Sequence, residues 1–146
     1  MRLCHRHKIS KRISGPLLDR IDIHIEVPRV DYEKLSADRI GESSESIRAR
    51  VQAARDIQLK RFSKIEPSDI VCNADMHIGE IRKFCKLPEE GQSLMRSAMS
   101  QLNLSARAYH RILKLARTIA DLAGCEEIQS VHLAEALQYR PKLMMG

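Results

Sequence analysis

Between Ile21 and Val27 the chain alternates strictly: Ile21, Ile23, Ile25 and Val27 fall on one side, Asp22, His24 and Glu26 on the other. A period of two predicts a strand with one covered face, and Pro28 ends it. A strand needs partners, yet no second convincing strand follows. Two readings result: a chain that begins in the middle of a sheet-containing domain, or a lone strand folded against helices in a small α+β domain.

From residue 43 onward the period changes to that of helices. Ser43 or Ser44 caps a predicted helix that runs to about Phe62, with Glu45 in its first turn. Ile47, Val51 and Ala54 form its expected apolar stripe, and Arg48 and Arg55 share another face. Beyond a polar connector around Pro67, "MHIGEIRKFC" predicts a short helix, and Pro88 is placed as the first residue of another that ends near Leu102. The clearest element is "SARAYHRILKLARTIADLAG". Ser105 caps it, Ala108, Ile112, Leu115, Ile119 and Leu122 are its expected buried face, and Gly124 stops it. Ser130 then caps a last short helix carrying Val131, Ala134 and Leu137. No internal repeat or low-complexity tract interrupts the series.

Composition supports packed helices. Of 146 residues 43% are hydrophobic, but only two Phe, three Tyr and no Trp are present, so the core must be aliphatic. The net charge of +6 favours a polyanionic partner, nucleic acid or nucleotide phosphate, or simply keeps the surface soluble. Cys4, Cys72, Cys85 and Cys125 form no CxxC pair, which argues against a zinc ribbon or a thioredoxin-like site and for reduced thiols. Cys4, His5 and His7 lie close together, but a zinc site needs four ligands, so no metal site is expected. No stretch approaches the roughly 18 apolar residues that cross a bilayer, and a cytoplasmic protein with no membrane partner is expected.

The candidate chemistry is cationic. Arg107 sits in the first turn of its helix, where the dipole disfavours positive charge; solvent with nearby carboxylates, or a bound phosphate, would compensate it. Arg111 and Lys114 extend a basic stripe. His24, His110 and His132 read as ordinary surface or boundary residues, and Asp19, Asp22 and Glu26 make no recognisable acid/base pair. No glycine is followed by lysine, which excludes a Walker A loop in these residues, and no buried strand ends in acidic residues as a Walker B strand does. Arg20, delivered by "ISGPLLDR" into the predicted strand, has no local catalytic partner.

Three segments in order, "ISGPLLDRIDIHIEVP", "GESSESIRARVQAARDIQLKRF" and "LNLSARAYHRILKLARTIADLAGCEEIQSVHLAEALQYR", resemble the C-terminal part of the magnesium-chelatase-like AAA+ ATPases of the ComM/YifB group. The resemblance covers nearly all of residues 9 to 140. It implies a mainly α fold: a helical lid of about five helices preceded by one residual strand of the AAA+ core. Residues 1–28 would be the edge of that core, 29–42 a linker and 43–146 the lid. Arg20 matches the arginine finger that reaches a neighbouring subunit's nucleotide, and Arg107 matches the sensor 2 arginine. ATP and Mg2+ would be bound by the full-length protein, the P-loop preceding this region, so this chain alone is expected to be inactive. The implied partners are further copies of the protein in a ring, and DNA, with Arg48, Arg55, Arg111 and Lys114 as candidate contacts. A chelatase-type motor for metal insertion and a non-enzymatic helical nucleic-acid-binding module remain the alternatives.

Overall fold

The computed structural model describes residues 17, 20–29, 41–65 and 69–140, and these form five α-helices. Helix α1, Ser44–Phe62, starts where the Ser43 hydroxyl accepts the Ser46 amide at 3.2 Å. Glu45 in its first turn and Lys60 and Arg61 in its last complement the helix dipole. Only Ala54, Gln58 and Phe62 are buried, because α1 meets the rest of the fold through its C-terminal half alone. Residues 44–53 are all exposed, so Ile47 and Val51 do not join the expected stripe; of that set only Ala54 is covered.

A 3-10 turn, Asn73–Asp75, leads to helix α2, Ile78–Phe84, whose Glu80 accepts the His77 amide at 2.9 Å. Helix α3, Glu89–Gln101, places Glu89 and Glu90 in its first turn. Pro88 is its N-cap, one residue earlier than expected, since a residue with extended backbone ahead of the helix can lack an amide at no cost. Residues 66–68, with Pro67, lie outside the described residues, as do Cys4, His5, His7 and Asp19.

Helix α4, Ala106–Leu122, runs through the centre of the core. Ser105 caps it by accepting the Ala108 amide at 3.2 Å, and Gly124 ends it at φ +69°, a left-handed geometry that favours glycine. Its buried face is Ala108, Ile112, Leu113, Ala116, Arg117, Ala120 and Asp121. This face is rotated from the expected one: Leu115 and Ile119 are half-buried and Leu122 is 40% exposed. Alanines under the partner helices let backbones approach, which draws the contact toward the small residues.

Helix α5, Ser130–Gln138, is also shifted by one position. Its N-cap is Gln129, not Ser130, and the Gln129 amide donates to Nδ1 of His132 at 3.1 Å. His132, Leu133 and Ala136 are buried, whereas Val131 is 64% exposed. His132, expected at the surface, is therefore a buried capping residue whose ring faces the backbone of its own first turn.

Residues 21–29 contain no strand. A strand is defined by its ladder, and no second strand is found among the described residues. Ile21, Ile23, Ile25 and Val27 are 41 to 72% exposed. The segment nevertheless touches the helices: the His24 amide donates to the carbonyl of Tyr139, just after α5, at 2.8 Å.

Candidate functional site

The N-terminal half of α4 and the residues leading into and opening α2 line an open cavity of about 510 Å³. Its lining includes Arg107, Arg111, Lys114, His77 and His110, with Met76 and Ile81 as apolar floor and no carboxylate. Residues 107, 111 and 114 recur at helical spacing, which is why one face of α4 presents all three. Arg107 is exposed, and α4 carries no acidic residue in its first turn. The dipole penalty on Arg107 is thus met by no acid in its own first turn, and the charged groups lining the pocket it faces are all basic.

The other two cations of the stripe are engaged within the chain. Lys114 Nζ donates to the Ala74 carbonyl at 2.7 Å, fixing the 3-10 turn below the cavity. The same turn is capped by Asp75, whose carboxyl is held below its usual range by the Cys72 thiol and then by the Cys72 and Val71 amides. Arg111 Nη1 donates to Asp22 Oδ1 at 2.7 Å and also to the Arg20 carbonyl. Arg20 itself is exposed, its amide bonded to the Leu17 carbonyl at 3.0 Å. Arg111 therefore ties the Arg20 turn to α4, the helix that also carries Arg107. Arg48 and Arg55 lie elsewhere, both exposed on α1.

Beneath this surface lies a polar network whose members the sequence reading did not single out. Asp121, fully buried, accepts from Arg61 Nη1 at 2.8 Å, Arg117 Nε at 3.1 Å and Asn73 Nδ2 at 2.8 Å. Arg117 also donates to the carbonyls of Cys125 and Glu126, at 2.7 and 2.8 Å, and Asn73 accepts from Arg61 at 2.9 Å. Every member is satisfied, so the charges are tolerated in the interior and lock α1, the 3-10 turn, α4 and the loop before α5 together. The available signal was Arg117 and Asp121, four residues apart on the otherwise apolar face of α4. Nearby, burial pushes the Cys85 thiol up to about 11, so at neutral pH it is an inert core group.

The helical bundle is in keeping with the family comparison. Residues 41–140 match the model of the magnesium chelatase subunit ChlI C-terminal family, and residues 2–35 match that of magnesium chelatase subunit ChlI. The chain belongs to this magnesium chelatase family, and with it to the AAA+ ATPase-like proteins. Among its relatives, competence protein ComM of Haemophilus influenzae is 47% identical over 131 residues, and the uncharacterised protein YifB of Escherichia coli is 43% identical over 130. YifB of Salmonella typhimurium is 39% identical over 130 residues. Each match covers 88% of this chain but only 24% of the relative. The chain thus spans about a quarter of the length of these relatives.

Proposed function

We propose that this chain is the lid-bearing C-terminal part of a ring-forming AAA+ ATPase that moves on DNA, as the likeness to a competence protein suggests. Residues 1–28 form the edge of the ATPase core, 29–42 the link and 43–146 the lid. The observation that carries this reading is the carboxylate-free cavity at the start of α4, where Arg107 faces a space suited to phosphate oxygens. Arg107 acts as sensor 2, contacting the γ-phosphate of ATP bound to the core. Arg20 acts as the arginine finger in the site of the neighbouring subunit. Negative charge spreads over the γ-phosphate oxygens during transfer, and an arginine supplied from the next subunit neutralises it, an effect of about 10³ to 10⁵ in rate.

A cationic lining suits phosphates and repels a metal ion, and no group of three His, Cys, Asp or Glu side chains converges among the described residues. In this reading Mg2+ enters with ATP at the core of the full-length protein. Of the four candidate DNA contacts, Arg48 and Arg55 are the pair that fits best, because they stand on the free half and middle of α1 while Arg111 and Lys114 bond within the chain. No helix among the described residues is long and apolar enough to cross a membrane; the cytoplasmic location in this proposal follows from the use of ATP and DNA.

The reading is tested by calorimetry of nucleotide binding to the full-length protein carrying Arg107→Ala. ATP affinity should fall about 10 to 150 fold, the loss of one charge-assisted contact of about 1.5 to 3 kcal/mol, with ADP affinity nearly unchanged. The melting temperature should hold, since Arg107 is exposed. Equal losses for ATP and ADP would make Arg107 a general phosphate contact and not a sensor.

A further inference from the structure

The segment that carries Arg20 is not free of the helices, although it contains no strand. Arg111, Arg140 and Tyr139 bond to it. Arg111 Nη1 reaches both the Arg20 carbonyl and Asp22 Oδ1, the latter at 2.7 Å. Arg140 Nη1 donates to the Ile21 carbonyl at 3.2 Å, and the Tyr139 carbonyl receives the His24 amide at 2.8 Å. Arg111 is distinct among the three because its bond falls on Arg20 itself, and because it leaves α4 one turn after Arg107.

We infer that Arg111 is a positioning residue that clamps the Arg20 turn to the helix bearing Arg107, so that the two arginines move as one body. The inference deepens the proposed function and rests on it for the roles of Arg20 and Arg107. A guanidinium is well shaped for such a clamp, because the two N–H bonds of its Nη1 lie in the fixed guanidinium plane, so that one nitrogen holds a backbone carbonyl and a carboxylate in set directions. Lysine, with a single ammonium at the end of a flexible stem, would hold the charge but not the angle. The Asp22 carboxylate, 53% exposed, completes the clamp from the docked segment, and Arg111 at 29% exposure is the more enclosed partner. When γ-phosphate draws Arg107, α4 carries the Arg20 turn with it. Nucleotide state in one subunit is thereby transmitted to the finger offered to the next.

The experiment uses the full-length protein with Asp22→Ala, Arg111→Ala and the double variant. Asp22→Ala is the cleaner probe, since Asp22 does not line the cavity that holds Arg107. Each single variant should slow ATP turnover tenfold or more, and the double variant should be no slower than the worse single one, because both remove the same clamp. ATP affinity of the Asp22→Ala protein should stay within twofold. Amide exchange across residues 20–27 should accelerate in all three variants, with α4 itself unchanged. Arg111→Lys should recover only part of the turnover. If Asp22→Ala tightens ATP binding and leaves turnover intact, Arg111 is a phosphate ligand and the clamp is refuted. Unchanged exchange at 20–27 in Arg111→Ala also refutes it, whatever happens to turnover. Faster exchange combined with full turnover in Arg20→Ala would instead uphold the clamp and defeat the finger assignment.

Discussion

Asp121 shows how one carboxylate can decide whether this fold holds. It is completely buried and faces two guanidiniums, of which Arg117 is 3% exposed and Arg61 13%. Removing it would leave both positive charges in the interior with only neutral acceptors. Asp121→Ala should therefore lower stability by about 3 to 5 kcal/mol in urea unfolding, far more than the loss of an exposed pair. By contrast, the Arg50–Glu42 pair at 2.9 Å joins side chains 53% and 42% exposed, and its removal should leave stability nearly unchanged. If Asp121→Ala costs no more than that surface pair, the network is not what fixes α1 against α4.

The ends of the helices follow from single side chains, and their faces follow from what they pack against. Gly124 stands just past α4 at φ +69° with nothing within 4 Å of where a Cβ would be. Gly124→Ala should consequently cost only backbone strain, about 1 to 2 kcal/mol by thermal unfolding, with the helix otherwise intact. A loss near zero would mean that the turn relaxes out of the left-handed region. Such local signals are why α1 and α4 were legible: Ser43, Ser105 and Gly124 act within four residues of themselves. Which face is buried is a longer-range matter. Ile47 and Val51 keep helical spacing yet lie beyond the reach of α4, while Leu122 falls outside the alanine-lined contact. The segment 21–29 keeps the period of a strand, but a ladder requires hydrogen bonds that its own residues cannot supply to one another. The candidate site divides in the same way. Arg107 stood out because a cation at a helix start conflicts with the dipole, and Arg20 was identified through the family resemblance. The bond that ties the Arg20 segment to the helix of Arg107 spans 89 residues between Arg111 and Asp22, and no local pattern encodes it.

The chain spans 24% of the length of the ComM and YifB relatives, and its chemistry as proposed also needs the rest of the full-length protein and a neighbouring subunit. The chain supplies arginines on two sides: Arg107 toward a cavity at the start of α4, and Arg20 on an exposed turn with no catalytic partner of its own. If Arg20 serves the neighbour's site, its defect must be separable from a defect in nucleotide binding. In the full-length protein, Arg20→Ala should leave ATP affinity nearly intact and reduce turnover by about a hundredfold or more, about 3 kcal/mol of barrier. A variant whose P-loop lysine is replaced should be inactive for the opposite reason, because its own site is empty while its finger is sound. Mixing the two should restore a measurable fraction of turnover. Some interfaces in a mixed ring pair the intact pocket of the Arg20→Ala subunit with the intact Arg20 of its neighbour. The recovered activity should peak at intermediate mixing ratios, since each productive interface needs one subunit of each kind, and should vanish in either pure sample. Native mass spectrometry must show that mixed rings form under the assay conditions. Mixed rings without recovered turnover would mean that Arg20 does not complete the neighbouring site, and that its exposed turn serves the subunit that carries it.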